Sequence, residues 1–134
     1  MKKVFDILKK QYSNNKKSLI LHREFQVNFN DLFRSEVIDL NEIKKGDVVA
    51  IVGDYDSFTI KTLIKLIDNK NIIVPLTKDT KSNHNYFFKE ACVDYVIEEK
   101  KIIKTHNKKT NQLLSAFKKK QDAGLILFSS GTTG

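Results

Sequence analysis

The sequence predicts an α/β fold: a mostly parallel sheet flanked by helices, with a small β-hairpin near the amino terminus. Three observations lead to this prediction. Short apolar runs recur along the chain, stretches with apolar residues at helical spacing lie between them, and two short strand-like runs flank a turn near residue 23. Strands that alternate with helices pair in parallel, through right-handed crossovers.

The region before residue 42 is expected to contain two helices and the hairpin. In the first helix an apolar residue recurs every four positions, and the second helix follows a residue whose side chain can cap it. In chain order the predicted elements are an amphipathic helix carrying Val4, Leu8 and Tyr12, strands at 18–21 and 25–29, and a helix capped by Asn30 or Asp31 that carries Leu32, Phe33, Glu36, Val37 and Leu40.

The remaining sequence predicts the sheet and its covering helices. Four runs are apolar at both alternating positions, as a strand covered on both faces requires, and we expect them to be interior strands. Pro75 is expected to end the second of them, because proline cannot donate to a strand ladder. Interior strands are predicted at 48–52, 72–74, 93–96 and 125–127, an edge segment at 102–103, and helices at 58–67, 81–91 and 113–117.

Length and composition favour a single globular domain. The 134 residues are 40% hydrophobic and 30% charged, which suits a chain with a folded core. No apolar run approaches the roughly 18 residues that span a bilayer. The single cysteine excludes an intramolecular disulfide, and the apolar stretch after Met1 is too interrupted for a secretory signal. The expected location is the cytoplasm.

The charge balance is strongly basic. Lysine and arginine total 24 and the acids total 16, so the net charge is 24 − 16 = +8. Most of this charge is lysine scattered in pairs, with one longer run at 118–120. Lysine neutralises phosphates without reading bases, so we expect no specific nucleic-acid partner and at most weak binding. A non-enzymatic basic α/β module that binds RNA or another anion stays open as an alternative.

Structural roles are the better interpretation of several other reactive residues. The three histidines show no metal-ligand spacing with each other or with Cys92, which we expect to be a buried, inert thiol. Of the rings at 86–88, two are expected to pack in the core with one at its edge. Residues 54–56 are expected to cap a helix. We therefore predict no metal site and assign no catalytic residue.

A loop rich in hydroxyls and glycine follows the last apolar run. Residues 123–128 lead directly into Ser129-Ser130-Gly131-Thr132-Thr133-Gly134. Serine and threonine supply hydroxyl donors, and glycine lets backbone N–H groups approach a ligand closely. Such a loop after a buried strand can bind phosphate oxygens. An ordinary polar turn has a similar composition, and the spacing fits neither the Walker A nor the dinucleotide-binding pattern.

In its context, the segment 123–134 closely resembles the phosphate loop of the adenylate-forming superfamily, which includes acyl-CoA synthetases, aryl-CoA ligases and peptide-synthetase adenylation domains. Three further segments resemble the same family. They are 18–21 with the hairpin, which resembles its opening strands, 45–54, which resembles its Gly-Asp-strand segment, and 63–76, which resembles its helix and strand ending in Val-Pro-Leu. Asn69-Lys70 departs from the family's usual Ala-Gly. Residues 1–134 would be the N-terminal portion of the large AMP-binding domain.

The resemblance implies a two-step reaction. A carboxylate attacks the α-phosphate of ATP to give an acyl-adenylate and pyrophosphate, and the acyl group then passes to coenzyme A or a carrier thiol. The loop would hold the β- and γ-phosphates, with Mg²⁺ accompanying the nucleotide. The ATP-binding residues would be Ser129, Ser130, Gly131, Thr132, Thr133 and Gly134. The expected parent is an acyl-CoA ligase, with an amino-acid-activating adenylation domain as the alternative.

The same resemblance sets expectations for the chain by itself. It should carry out no adenylation, because the family's adenine and acyl pockets and its C-terminal lysine come from later segments. It should also expose apolar surface and self-associate.

Overall fold

A computed structural model describes residues 20–22, 25–27, 38–54, 56–106, 112–120 and 122–128. Strands and helices alternate through most of this range. They are β1 (Ile20–His22), β2 (Phe25–Val27), β3 (Val48–Val52), α1 (Ser57–Asp68), β4 (Ile72–Leu76), a 3₁₀ segment (Lys78–Asn83), α2 (His84–Glu90), β5 (Tyr95–Glu98), β6 (Lys101–Lys104), α3 (Gln112–Lys119) and β7 (Gly124–Leu125).

Five strands form one sheet in the order β6-β5-β3-β4-β7, and β1 and β2 form a separate antiparallel hairpin. The central strand β3 pairs in parallel with β4 and β5, and β4 pairs in parallel with β7. Of these five strands, β6 alone runs antiparallel, as the second arm of a hairpin with β5. The predicted α/β class and the predicted hairpin are therefore confirmed.

Alternating positions of the strands build a core on each face of the sheet. One face, which includes Ala50, packs against Phe87 of α2 and Phe117 of α3. The opposite face, which includes Ile51, packs against Leu66 of α1. The sheet is thus covered by helices on both faces, and this explains why its central strands are apolar at consecutive positions.

The two central strands behave as interior strands, with one correction. β3 has its predicted bounds, and Ile51 and Ile73 are 2% and 0% exposed on parallel neighbours. β4 continues through Pro75 to Leu76, so the prediction that Pro75 ends the strand is wrong. The backbone groups of the even-numbered residues of β4 form hydrogen bonds with β3. Those of Ile73 face β7, and the Ile73 carbonyl accepts a hydrogen bond from the Ile126 N–H at 2.9 Å. Pro75 therefore ends the ladder with β7 and leaves the ladder with β3 intact.

Helix α1 begins at Ser57, one residue before its predicted start. The Asp56 side chain accepts a hydrogen bond from the Thr59 backbone N–H at 2.9 Å, which confirms the cap expected within 54–56. The most deeply buried residues of the helix are Thr62 and Leu66. Apolar spacing along the sequence does not identify Thr62 as a buried position, because threonine is not counted as apolar. Among the described residues, Thr62 Oγ1 has no hydrogen-bond partner.

Several predicted bounds shift. The helix expected at 81–91 is the second half of the 3₁₀ segment followed by α2, which ends at Glu90. The strand expected at 93–96 is β5, which starts two residues later, after Cys92 turns the chain with a φ of 53°. Leu40 lies outside any helix, so the predicted helix does not reach it. The helix expected around residues 4–12 and residues 30–37 lie outside the described residues.

β7 differs most from its prediction. It lies at an edge of the sheet, although the apolar run 125–127 predicts an interior strand. Ile126 and Phe128 pack against the core, whereas Leu125 and Leu127 are 58% and 72% exposed. An interior position needs a further strand beside β7, and burial of Leu125 and Leu127 needs a covering layer on their face; no element among the described residues fills either place.

The amino ends of the strands are joined by a dense set of hydrogen bonds. Val48 N donates to Asp94 Oδ2 at 2.9 Å, and Asp94 N donates to Val48 O at 2.8 Å. Asn71 is fully buried, and its amide donates to the carbonyls of Lys44 and Asp47 at 2.8 and 3.2 Å. These bonds fix the starts of β3, β4 and β5 relative to one another. Because these polar groups already have partners, a ligand site is expected at the opposite edge of the sheet.

Candidate functional site at the carboxyl edge of the sheet

The carboxyl ends of β3, β4, β5 and β7 meet at one edge, because these strands are parallel. Ligands of open α/β sheets bind at this edge. The predicted phosphate loop follows Phe128 in the sequence. Its residues Ser129, Ser130, Gly131, Thr132, Thr133 and Gly134 lie outside the described residues, so their role stays a prediction.

Stacking fixes the residue that precedes the loop. The Phe128 ring lies 4.2 Å from the Phe87 ring of α2, with 24° between the ring planes. Two residues earlier, the Ile126 N–H donates to the Ile73 carbonyl at 2.9 Å. The chain is therefore held in place up to Phe128, the residue that precedes the predicted loop.

A polar crevice of about 170 Å³ lies at the same edge, between the ends of β3 and β5. The chain leaves these neighbouring strands in opposite directions, since β3 leads through α1 to β4 on one side and β5 turns into β6 on the other. Such a switch point is the usual place for a ligand crevice. The crevice is lined by Ile51, Val52, Gly53, Asp54, Asp56, Phe58, Thr59, Lys78, Ile97, Glu99 and Lys100.

The start of α1 forms one side of the crevice and is closely packed. Asp56 Oδ1 accepts hydrogen bonds from both the backbone N–H and the hydroxyl of Thr59, each at 2.9 Å. A Cβ atom on Gly53 would lie 2.7 Å from Thr59 Oγ1, so this approach requires glycine. The Asp56 carboxylate occupies the amino end of α1, and its charge disfavours an anion there.

Charges of both signs face the crevice. The side chains of Asp54, Lys78 and Glu99 form no hydrogen bond or ion pair with any residue that the structure describes. The Lys100 ammonium lies over the Phe58 ring, 5.5 Å from its centroid. Unpartnered groups of opposite sign can bind a polar ligand without first breaking internal contacts.

The turn between β5 and β6 forms another wall and has an unusual backbone. Its two central residues, Glu99 and Lys100, have φ values of 52° and 62°. Turns of this type favour Asn-Gly, since other residues in the left-handed region cost roughly 1–2 kcal/mol each. A two-residue hairpin turn of this type needs a positive φ at both central residues, so this backbone geometry follows from the short connection between β5 and β6.

The histidines and the cysteine have the structural roles expected of them where the structure describes them. His84 is buried, and its Nε2 lies 3.0 Å from both the Thr77 carbonyl and the Thr80 hydroxyl. Because a carbonyl only accepts, this nitrogen carries the proton. His106 is exposed and Cys92 is buried with a free thiol. Within the described ranges, no group of His, Cys, Asp or Glu side chains is arranged to hold a metal ion.

The aromatic run is also confirmed as a core feature. Phe87 and Phe88 are partly buried against the core, whereas Tyr86 is 61% exposed. Neither phenylalanine is available to stack on a base.

Two ionisable groups away from the crevice have shifted pKa values. Burial lowers the pKa of Lys61 on α1, and the positive charge of Lys65 lowers it further. Burial raises the pKa of Tyr95 at the start of β5, and nearby carboxylates, Asp47 first among them, raise it further. These shifts follow from packing in the core and at the amino edge.

Sequence reasoning predicted the helix cap, which is confirmed, and the loop, which stays a prediction, but it missed the crevice. Gly53, Lys78 and Glu99 are far apart in the sequence, and only the pairing of β3 with β4 and β5 brings them together. One local signal was available: the polar pair Glu99-Lys100 separates two strand-like runs without a glycine.

Comparison with known proteins supports the fold. No protein-family model matches this chain, and no curated protein matches it. Among solved structures, the chain is similar to the N-terminal subdomain of NpsA from Klebsiella oxytoca, with a TM-score of 0.61 and 15% sequence identity. The match covers 95% of this chain and 38% of the NpsA chain. The described helices include none with the length and apolar character needed to cross a bilayer.

Proposed function

We propose that this chain is the N-terminal part of an ATP-dependent enzyme that activates a carboxylic acid as an acyl-adenylate. In this proposal the loop at 129–134 binds the β- and γ-phosphates of ATP, which leave as pyrophosphate. The observation that carries the proposal is the place of the hydroxyl-rich loop, which directly follows a strand that runs to the carboxyl edge of a parallel sheet. The stacking of Phe128 on α2 fixes the residue before the loop.

Two likenesses support it. The sequence 123–134 resembles the phosphate loop of the adenylate-forming superfamily. The fold is similar to the N-terminal subdomain of NpsA, an adenylation-domain protein. At 15% identity this likeness supports a general adenylate-forming relationship, and it does not specify the acid or the thiol.

In the proposed reaction the loop acts by electrostatics. Hydroxyls of Ser129, Ser130, Thr132 and Thr133, together with backbone N–H groups, donate hydrogen bonds to phosphate oxygens whose charge grows as pyrophosphate leaves. Gly131 and Gly134 allow the backbone to approach the phosphates closely. Mg²⁺ bound to the nucleotide would neutralise part of the phosphate charge.

The second step of the proposal transfers the acyl group to a thiol. We propose coenzyme A as the acceptor, which makes the parent an AMP-forming acid–thiol ligase, with a carrier thiol as the alternative. An amino-acid substrate remains compatible with the same loop, because the loop contacts ATP and not the acid.

The chain alone is expected to be inactive. It spans about two fifths of the NpsA chain, at 38%. In the proposed division of labour, residues outside this chain orient the carboxylate against the α-phosphate, and positioning of this kind supplies about 7–11 kcal/mol of a barrier. We therefore expect no carboxylate-dependent pyrophosphate release from residues 1–134.

The test compares the 134-residue chain with the full-length product of its gene. The assay is ATP–pyrophosphate exchange across a panel of carboxylic acids. In the full-length protein, replacing Thr132 and Thr133 with alanine should slow exchange about 100-fold or more, with acid binding within twofold. Ser115→Ala is the matched control, because Ser115 is an exposed hydroxyl on α3, and it should leave exchange unchanged.

Two results would contradict the proposal. Turnover by the 134-residue chain would show that the division of labour is wrong. A full-length protein that binds no ATP and adenylates no acid would remove the adenylate-forming assignment itself.

A further inference from the structure

The two edges of the sheet differ in how they are protected from further strand pairing. On β6, Lys101 and Lys104 are exposed and flank Ile103, which is 54% exposed. Lysines on an edge strand oppose pairing with another strand. Residues 123–128 along β7 carry no charge, and Leu125 and Leu127 are 58% and 72% exposed. The β7 edge is therefore the unguarded one.

The backbone of this segment also has free hydrogen-bonding groups. Gly124 N and Ile126 N donate to carbonyls at 71 and 73 on the inner side, at 3.1 and 2.9 Å. Because backbone groups alternate in direction along a strand, those of Leu125 and Leu127 point outward. Within the described part of the chain these outward groups have no partner.

We infer that the β7 edge pairs with the β7 edge of a second copy of this chain, about a twofold axis at Ile126. In this antiparallel register Leu125 of one copy exchanges backbone hydrogen bonds with Leu127 of the other, and the reverse pair forms on the far side of the axis. The register uses every outward group described between 125 and 127. It also brings the four exposed leucines together on one face of the joined sheet, where opposite side chains touch.

Pairing between copies is electrostatically more favourable at β7 than at β6, because β6 carries lysines and the segment 123–128 carries no charge. Self-pairing of β6 would place lysines against lysines, which is destabilising. Self-pairing of β7 brings no charged residue of the segment 123–128 into contact. The opposing force is the overall charge of +8 on each copy, which salt screens over about 10 Å at 0.1 M. Association should therefore strengthen as salt rises.

The size of the surface sets the expected affinity. A stable interface buries about 800 Å² per partner, and a short strand edge with two leucines supplies much less. We expect a dimer with a Kd of about 10 μM to 1 mM. The inference concerns an edge strand and not the loop, so it can be tested without an assay of enzymatic activity.

Sedimentation equilibrium of the 134-residue chain at several concentrations and at two salt levels tests the inference. Leu127→Lys puts a guarding lysine on the β7 edge and should weaken dimerisation at least tenfold. Ile103→Lys is the matched control, since it changes a similarly exposed residue on the other edge, and it should leave the Kd unchanged. Wild-type protein that stays monomeric to about 1 mM, or equal loss in both variants, would overturn the inference.

Hydrogen exchange of the wild-type chain gives a second readout that does not rely on a variant. The amides of Leu125 and Leu127 should become protected as concentration rises, because the proposed pairing buries those N–H groups. The amide of Ile103 should show no such dependence. Concentration-independent exchange at Leu125 and Leu127 in a dimeric sample would place the interface elsewhere and overturn the inference.

Discussion

The amino and carboxyl edges of the sheet differ in how completely their polar groups are partnered. At the amino edge, the buried amide of Asn71 bonds two carbonyls, and Asp94 accepts from the β3 backbone. At the carboxyl edge, Asp54, Lys78 and Glu99 line a crevice without a hydrogen bond or ion pair to any described residue. The polar groups named at the amino edge are hydrogen-bonded, whereas the charged side chains named at the carboxyl edge have no partner among the described residues.

The difference indicates that the amino edge contributes to the stability of the fold, whereas the carboxyl edge offers groups that can bind a ligand. A buried polar group without a partner costs about 1–3 kcal/mol, so a fully partnered edge contributes to the stability of the fold. A charged group that remains solvated costs little, and it stays available to a ligand. Substitutions at the amino edge should therefore lower the free energy of unfolding, whereas substitutions of the unpartnered groups at the carboxyl edge should leave it unchanged.

The largest effect is expected at Asn71. Replacing Asn71 with alanine leaves the carbonyl of Lys44 without its amide donor and removes the shorter of the two hydrogen bonds that the Asn69 side chain donates. The free energy of unfolding should fall by about 2–3 kcal/mol, measured by urea denaturation. Asn83→Ala is the matched control: Asn83 is exposed before α2 and makes no capping bond, so the change should stay within about 0.5 kcal/mol. Equal losses in both variants would remove the assigned role of the amino edge.

A steric constraint at the amino end of β7 should give the next largest effect. A Cβ atom on Gly124 would lie 2.6 Å from the ring of Phe117 on α3, which is too close for any side chain. Gly124→Ala should therefore destabilise the fold by about 1–3 kcal/mol, through overpacking.

A double-mutant cycle separates this clash from loss of glycine flexibility. In a Phe117→Leu background the ring is gone, and Gly124→Ala should cost at least about 1 kcal/mol less than in the wild type. Additive losses would show that the ring does not set the cost at Gly124.

The sequence predicted the parts of this fold whose signals are local. β3 has its predicted bounds because five consecutive apolar residues in it are buried, and the cap at Asp56 follows from one side chain and the next turn. The position of β7 was not predictable in the same way. A run that is apolar at both alternations has the same pattern whether a sixth strand covers it or not, and only the sheet order identifies it as an edge.

The two parts of the candidate site also differ in whether their signals are local in the sequence. The hydroxyl-rich loop is continuous in sequence, so its composition predicts phosphate binding, and that prediction rests outside the described residues. The crevice at the end of β3 depends on strand order, because Lys78 and Glu99 reach Gly53 only after β4 and β5 pair on either side of β3. A motif search along the chain cannot find a site assembled in this way.

Two neighbouring aspartates at the carboxyl edge provide the third prediction. Asp56 caps α1 through Thr59, so Asp56→Ala should lower the free energy of unfolding by about 1 kcal/mol. Asp54 has no partner among the described residues, and Asp54→Ala should change stability by less than about 0.5 kcal/mol. Urea denaturation of both variants under the same conditions measures the difference. Similar losses in the two would mean that Asp54 is also structural and not free for a ligand.

The smallest effect concerns Tyr95, whose hydroxyl donates to the Glu42 carbonyl at 3.2 Å at the amino edge. Burial, and then the neighbouring carboxylates, raise the pKa of Tyr95 above its ordinary value of 10.0. With a raised pKa the folded chain holds this proton more tightly than the unfolded chain does. The stability it contributes is therefore complete below pH 10.0 and is lost as the pH rises through the folded-state pKa.

Comparing wild type with Tyr95→Phe isolates the contribution of the Tyr95 hydroxyl to stability. The lowered pKa of Lys61 makes stability change in the opposite direction over the alkaline range, but it is common to both proteins and cancels in their difference. The stability advantage of wild type over Tyr95→Phe should hold constant from pH 7 to 9 and shrink above pH 10. Tyr86→Phe removes an exposed tyrosine hydroxyl on α2 and serves as the control. A constant advantage for wild type up to pH 11 would mean that the Tyr95 hydroxyl is not sealed into the amino edge, and that this edge is more open to solvent than its hydrogen bonds indicate.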